Sequence, residues 1–471
     1  MTTASVGSTG GTLAIDGLVS GLDTTSLINS LMTAEAAPQT QLKSQLATLQ
    51  STLSDLQSLN TSVKSVADAA TALTAAGALN LFTTSSTSTA ISASADTTAA
   101  AGSISLQVTR LASGQVSVTA AQSAWTTSPP VLTIVGSDGT QHEVTAASTS
   151  IADVVGAING AKAGVTAVQV AAGTDSSGAT LYRIQLTSAT GAANAFSIYD
   201  GSAADVTAGT ATDLLTQSGA ATVSQAQDAQ AVLWGGTGAE QTVTSSTNTF
   251  QNLMPGVNIT ATATTTAPAT VTIAKSNDQI AAKFGSLLTS LSSVFSTIAS
   301  KSAVTTTTNT DGTSGVSAGS FTGDSTVRNA QQQLFNALSY PVGTISPTDL
   351  GITINEDGTF AFDASKLSAA LANDTDGSVS AAMQTVVGRI ADAATAASDP
   401  YTGSITASIT GDQSTVKQMT DSISDWDTRL ADRRATLETT YANLETKLSS
   451  LKSQSSWLSS QISGLSGSTS S

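Results

Sequence analysis

Between Asp412 and Ser463 the chain runs 52 residues without Gly or Pro, and every seventh position is a large aliphatic: Ile423, Leu430, Leu437, Leu444, Leu451 and Leu458, with Leu465 one step beyond. A seven-residue repeat keeps one seam of an α-helix facing a partner when the helix under-winds to about 3.5 residues per turn, as in a left-handed coiled coil. The second seam is mixed: Tyr441, Leu448 and Ile462 continue it, while Asp427, Arg434 and Ser455 interrupt it. At ~1.5 Å per residue such a helix spans on the order of 75 Å, longer than a small domain is wide, so it needs a partner beyond a compact core.

The other end of the chain carries a matching pattern. Leu42, Leu46, Leu49, Leu53, Leu56, Leu59, Val63 and Val66 recur at steps of three and four, a single apolar stripe with Ser, Thr, Gln and Lys elsewhere. Asp23 is placed to cap a first helix holding Leu27, Ile28, Leu31 and Met32; Pro38 suits the first turn of a second, which Gly77 can end. Long helices at both termini around a different middle predict an elongated molecule whose stem holds both chain ends. An ordinary intramolecular helix hairpin is the plainer alternative.

At Leu79 the period changes from helical to alternating. Ser103 to Thr109 predicts a strand with Ile104, Leu106 and Val108 on one face, and two strand-like runs flank the tight turn Ser137-Asp138-Gly139 within Leu132 to Ala146. Ile151 to Lys162 reads as a short helix with Ile151, Val154, Val155 and Ile158 inward. Val165 to Val170 and Tyr182 to Leu186 return to strands around Asp175-Ser176-Ser177-Gly178, and Val257 to Thr262 and Val271 to Ile273 add more. An amphipathic helix follows over Asp278 to Lys301. The polar stretch Thr305 to Ser320 predicts a mobile loop or protease-sensitive linker. Val327 to Leu338 is helical, and the segments Gly351 to Ile354 and Phe360 to Phe362 flank Glu356-Asp357-Gly358 as a second hairpin.

These patterns predict a multidomain α+β fold, a helical coiled-coil stem built from both chain termini with two inserted β-rich domains. The expected divisions are 1–38 with 430–471 as terminal helical segments and 39–80 with 276–429 as the helical stem domain. A first β-rich domain is expected from 81–118 with 222–275, and a second, outer one from 119–221.

Composition narrows the chemistry. Charged residues are 11% and aromatics 4%, and 17 basic against 33 acidic residues give a net charge of −16, which repels phosphate backbones and argues against nucleic acid. Cysteine is absent and His142 is the single histidine, which removes disulfides, Cys-based zinc sites and histidine clusters. Met1 to Leu22 has no basic residue and no continuous apolar run of a cleavable secretion signal, and no run approaches a membrane helix. The expectation is a soluble chain that, if it leaves the cell, does so by a route reading no such signal. Asp311-Gly312, Asp357-Gly358 and Asp175 to Gly178 lack the spaced carboxylates and distal Glu of a calcium loop and read as turns. His142 reads as a surface residue on a strand. No catalytic, cofactor or metal site stands out. A carboxylate pair able to hydrolyse glycosides would meet in space rather than in sequence, and nothing recommends one here.

Taken in order, several short segments resemble the flagellar filament cap protein, or hook-associated protein 2, family. Gly17 to Asp23 is similar to its Ser-Gly-Leu-Asp opening, Gly102 to Ala112 to its strand ending in Leu-Ala, and Ala157-Ile158-Asn159 followed by Gly164 to Ala167 to its Ile-Asn motif. Asp228-Ala229, Asn248, Pro255-Gly256-Val257, Gly323 to Thr326, Asp349 to Ile352 and Asp357-Gly358-Thr359 complete the set in the family's order. Departures are the absent Tyr-Asn dipeptide in Val294 to Ser300, Tyr441 where Phe is common, and Phe321 and Phe360 where Leu is usual. The resemblance implies a structural, non-enzymatic protein without cofactors, forming a small closed ring of identical copies at the extracellular filament tip. Its implied partners are flagellin, the hook-filament junction protein, and the export chaperone and type III export apparatus of an unfolded, signal-less passage, with no membrane insertion. On that reading the assembly contacts are Leu27, Leu31, Leu42, Leu46, Leu444, Leu448, Leu451, Leu458 and Ile462, for each of which intrachain packing is the alternative. Rival readings are another flagellar axial protein, either the junction protein or flagellin, and a secreted adhesin or carbohydrate-active protein.

Overall fold

The structure is a computed structural model describing residues 23–308, 314–356 and 358–467. Residues 17–22 of the opening motif, the Asp311-Gly312 turn, Asp357 and the side chain of Leu465 lie outside the described residues. The chain divides into two compact units. One comprises Met1–Thr74, Phe284–Lys366 and Asp374–Ser471, the other Ala75–Lys283 and Leu367–Asn373. The fold class is α+β and multidomain.

Helix α1 (Thr24–Glu35) begins where Asp23 caps it, its Oδ1 accepting from the Ser26 amide at 2.8 Å. That satisfies one of the amides a helix start leaves open. After the single residue Ala36, α2 (Ala37–Thr74) carries Pro38 in its first turn, where a missing N–H is tolerated. Leu56, Leu59, Val63, Val66, Ala67 and Ala70 are buried along one face, as their spacing predicts.

The second unit is antiparallel throughout. Strands β1 (Phe82–Ser86), β2 (Ile91–Ala95) and β3 (Gly102–Arg110) open it, and β12 (Ala229–Leu233), β13 (Gln241–Ser245), β14 (Thr249–Met254), β15 (Val257–Ala261) and β16 (Ala269–Lys275) close it. They form a five-stranded sheet, β1-β16-β3-β12-β13, and a three-stranded sheet, β14-β15-β2. Ile104, Leu106 and Val108 of the first share a core with Phe250, Val257 and Ile259 of the second. Gly256, at φ +68°, turns β14 into β15; a Cβ there would collide with the Asp96 side chain, so the position requires glycine.

Between β3 and β12 the chain builds a second core. Its elements are β4 (Gly114–Val118), β5 (Val131–Gly136), β6 (Gln141–Thr145), α3 (Ile151–Ala161), β7 (Val165–Thr174), β8 (Thr180–Thr190), β9 (Phe196–Asp200), α4 (Ala203–Ala208), β10 (Thr212–Asp213) and β11 (Ala221–Ser224). Sheets β10-β9-β5-β6 and β11-β4-β8-β7 result, and Leu132, Ile134, Ile184, Leu186 and Ile198 pack with Ile151, Val154 and Ile158 of α3. The Ile-Asn segment acquires a physical role here: Asn159 donates to the Ala167 carbonyl at 2.9 Å and accepts from its amide at 2.8 Å, tying α3 to β7. Asn248 likewise accepts from the Ala112 amide at 2.7 Å, and Asp228 from that of Ala192 at 2.7 Å. His142 is exposed on β6, as expected.

The chain re-enters the first unit within α5 (Asn277–Ser302), from Phe284 on, then forms β17 (Val304–Thr308), β18 (Ser314–Ala318), α6 (Ser325–Ser339), β19 (Ile352–Ile354), β20 (Phe360–Phe362), α7 (Ala364–Ala372), which belongs to the second unit from Leu367, and then α8 (Ser378–Ser398) and α9 (Ser404–Gly467) in the first. Asp324 caps α6, accepting from the Thr326 and Val327 amides, which explains the Gly-Asp-Ser-Thr run. The β19–β20 hairpin is anchored by Phe362 and Phe360, whose rings meet Phe284 and Phe295 edge-on at 5.5 and 5.7 Å. Phe360 in place of the family's usual Leu thus supplies a ring contact.

Three departures from the sequence reading stand out. The stretch Thr305 to Ser320, expected as a mobile loop, instead holds the paired strands β17 and β18, with Val304 opposite Ala318 and Thr306 opposite Val316. Low complexity misled because its commonest residue is β-branched Thr, which suits a strand. Helix α9 begins at Ser404, eight residues before Asp412, with Gly411 inside it; buried Ile405 and Ile409 hold the first turns and outweigh the ~1 kcal/mol helical cost of glycine. Helix α8 has no counterpart in the reading. Its buried face joins Met383, Val386, Val387 and Ile390 to four Ala, and the C-terminal half of the face, Ala391, Ala394, Ala397 and Ser398, gives little hydrophobic contrast.

One ion pair in this unit makes stability depend on pH. Asp55 of α2 receives hydrogen bonds from Lys301 at 2.9 Å and Ser320 at 2.5 Å, and these, Lys301 first, hold its carboxyl below the ordinary 3.8. A depressed folded value means the contribution is fully present above the unfolded value and is lost as pH falls through the folded one. Asp55→Asn should therefore cost about 1 kcal/mol at neutral pH, modest because Lys301 is half exposed. The difference in melting temperature from the unsubstituted chain should close as pH drops below about 3.8. A difference that persisted unchanged at pH 2–3 would contradict the assignment. Asp412 of α9 has the opposite sign, since burial and then the charge of Asp324 push its carboxyl up.

Candidate assembly surface

Helix α9 runs antiparallel to α1 and α2, and its polar seam residues set the alignment. Asn60 lies 3.4 Å from Thr406, Gln39 donates to Asp427 at 2.5 Å, Arg433 to Glu35 at 3.0 Å, and Arg434 to Asn29 at 2.7 Å. Partner numbers fall along α2 and α1 as they rise along α9, so the partner of α9 as far as Arg434 is the other end of the same chain. Asp427 and Arg434, which interrupt the second seam in sequence, are the side chains that pair across it. Lys43 adds an ion pair to Asp427 at 3.8 Å. The buried Gln39 amide penalises other registers, because a shift of one turn leaves it without its partner.

Gln39 is 5% exposed and is the central member of this set. Gln39→Leu should leave helix content unchanged yet loosen the pairing, at a cost of about 1 kcal/mol or less, because Asp427 is exposed and keeps its ion pair with Lys43. Faster amide exchange in α1 and around residue 427 would register it; identical exchange would remove the register role.

Along the final third of α9 the aliphatic row changes character. Ile423, Leu430 and Leu437 are half-buried, whereas Leu444, Leu451 and Leu458 are 43, 60 and 54% exposed. Ile462 is exposed as well, as are Leu27 and Leu31 of α1, while Leu42, Leu46 and Leu448 are half-buried. The structure therefore separates the nine expected contact residues into six whose apolar surface faces solvent and three already partly used within the chain. Trp457, 65% exposed beside Leu458, belongs with the first set and was missed. Its signal was available as a lone aromatic in a Ser-rich helical stretch. Glu445 is buried, at a position where the heptad leads one to expect exposure.

Among the described residues no three His, Cys, Asp or Glu side chains gather as a metal site requires, and no helix is long and apolar enough to cross a membrane. The apolar row is thus the chemical feature of this region. Residues 20–115 match the family model for the N-terminus of flagellar hook-associated protein 2, and residues 226–453 match the model for its C-terminus. The chain belongs to the flagellar hook-associated protein 2 family. It is 28% identical over 375 residues to flagellar hook-associated protein 2 of Escherichia coli K12, spanning 77% of this chain and 78% of that one. The counterpart from Escherichia coli O157:H7 is 29% identical over the same shares. Among solved structures, the D1-D2-D3 domains of the flagellar cap protein from Escherichia coli superpose with a TM-score of 0.56 at 25% identity, covering 76% of this chain and 99% of that one. The matched segments take in α2, the strands of the first β-rich core, and α9 as far as residue 453, while the second core, from β5 to β11, lies between the two matches. The exposed end of the row, Leu458 and Ile462, lies beyond the hook-associated protein 2 match.

Proposed function

We propose that this chain is a structural capping protein at the distal tip of the bacterial flagellar filament. Outside the cell it helps exported flagellin subunits fold and insert, and prevents their loss. It works as a small closed ring of identical copies. It meets flagellin and the hook-filament junction protein, and reaches the tip unfolded through the type III export apparatus with a chaperone.

The observation that carries this reading is the exposed aliphatic row of Leu444, Leu451 and Leu458 on a chain of this family. Burying one such leucine contributes about 1.5–3 kcal/mol, so a row repeated every seven residues is stabilised by a helical partner along its length. Leu27, Leu31 and Ile462 extend the same surface, and Leu42, Leu46 and Leu448 contribute their remaining exposed area. In this scheme the terminal segments 1–38 and 430–471 are the assembling parts, 39–80 with 276–429 the helical stem domain, 81–118 with 222–275 the first β-rich domain and 119–221 the second. Deleting the gene in the native host tests the proposal: filaments should be lost, with monomeric flagellin in the medium, and a copy of the gene should restore them. Normal filaments in the deletion strain would exclude it.

A further inference from the structure

The side chain that ties α3 to β7 stands in a reactive dipeptide. Among the chain's asparagines Asn159 alone is followed by a glycine, Gly160. In such a pair the glycine nitrogen can attack the side-chain carbonyl carbon before it, because no Cβ shields that nitrogen and the glycine backbone bends freely. Both residues are exposed, so water reaches them and burial gives no protection. Conformation protects them instead. They lie in the last turn of α3, and a five-membered ring through the Gly160 nitrogen requires a ψ at Asn159 well away from the helical value of about −42°. The side chain is also held from outside the helix. Its Nδ2 donates to the Ala167 carbonyl at 2.9 Å and its Oδ1 accepts from the Ala167 amide at 2.8 Å. Ala167 is buried on β7, so both bonds close only when β7 lies against the helix. Gly160 itself has no steric duty in the fold: a Cβ there would meet nothing within 4 Å, and alanine would suit the helix better.

We propose that Asn159-Gly160 is a spontaneous modification site gated by the docking of α3 on β7, so that the chain acquires a permanent mark there according to the time it spends unfolded. The Gly160 nitrogen gives its proton to solvent and bonds to Cγ of Asn159. The Cγ–Nδ2 bond breaks and ammonia leaves, which closes a succinimide ring. Water then opens the ring at either carbonyl and leaves aspartate or isoaspartate at position 159. Water is the one co-reactant, and nothing is oxidised or reduced. The mark also disables the gate. An aspartate at 159 has no hydrogen to give to the Ala167 carbonyl and sets oxygen against oxygen there. Isoaspartate in addition inserts a methylene into the backbone and interrupts the last turn of α3. A marked chain therefore holds α3 against β7 less firmly than a fresh one. The site is separate from the α9 row and does not depend on the capping role.

The test incubates the full-length chain at neutral pH, in native buffer and in urea above its unfolding transition, and follows each asparagine by peptide mass spectrometry with isoaspartate detection. In urea, position 159 should convert at least about tenfold faster than any other asparagine, since it alone precedes a glycine. It should also convert at least about tenfold faster than in the folded chain, where the rate is scaled by the fraction of time the end of α3 is open. Gly160→Ala, which the fold accepts without a clash, should slow the conversion in urea about tenfold or more. In the folded chain, Asn159→Asp should speed amide exchange at Ala167 and in the last turn of α3 about threefold or more. Equal conversion at 159 in native buffer and in urea would overturn the gate, and no conversion in urea would overturn the site. An undiminished rate in Gly160→Ala would overturn the route through the glycine nitrogen, and unchanged exchange in Asn159→Asp would overturn the effect of the mark. The urea arms read the unfolded chain, so they remain decisive even if a variant refolds poorly.

Discussion

Leu451→Asp is expected to abolish capping while leaving the chain folded. Leu451 is 60% exposed, so its removal opens no cavity and strands no polar group, and the melting temperature should hold within about 1 °C. In an assembled helical seam the same substitution buries a carboxylate between apolar neighbours, which costs several kcal/mol and recurs at every copy in a ring. A bacterium carrying the variant should therefore shed flagellin and swim at least tenfold less effectively. Leu451→Ala, which only removes buried area, should give an intermediate phenotype. Wild-type filament length with Leu451→Asp would remove the row from assembly, and a large drop in melting temperature would reassign it to intrachain packing.

A second large effect is expected in the β-rich unit, where Leu106→Ala should cost about 2–5 kcal/mol. Leu106 is fully buried at the centre of the five-stranded sheet, between β12 and β16, where surrounding strands cannot collapse into the space left. For a unit of this size that lowers the midpoint of its own transition by roughly 4–20 °C. Because the chain holds two compact units, hydrogen exchange read by segment is the proper measurement. Protection should fall across β3, β12 and β16 and stay unchanged in α2 and α8. Uniform loss across both units would mean that they unfold together. A change under 1 kcal/mol would mean the core repacks.

These expectations rest on different kinds of sequence signal. The long terminal helices announced themselves through spacing, because an apolar step of three or four residues has one reading when it persists over many turns. Strand β3 and the hairpin β5–β6 were equally open, since Ile104, Leu106 and Val108 alternate cleanly and Asp138-Gly139 marks the turn. Helix α8 gave a weaker signal: its large apolar residues span only Met383 to Ile390, and beyond them a face of Ala barely differs from the Ala, Ser and Thr around it until neighbouring helices cover it. Strand β4 shows the reverse failure, where alternation is present but inverted. Gln115 belongs inside because Phe196 on another strand offers it both an amide and a carbonyl, and no local pattern reveals a partner 81 residues away.

The candidate surface divides along the same line. Sequence alone named the heptad row and the residues on it, because periodicity is a local property of one helix. It also determined the α+β class, the acidic, cysteine-free character and the order of the family segments. Tertiary structure decided how each row residue is used. Asp427 and Arg434 turned from flaws in a seam into its alignment contacts once Gln39 and Asn29 came opposite them. Ile423 and Leu430 were taken up by the chain's own partner helices, and Leu444, Leu451 and Leu458 were left in solvent. The physical reason is that a repeat fixes which side of a helix is apolar, whereas burial depends on which other surface arrives there, and that is a non-local property of the folded chain.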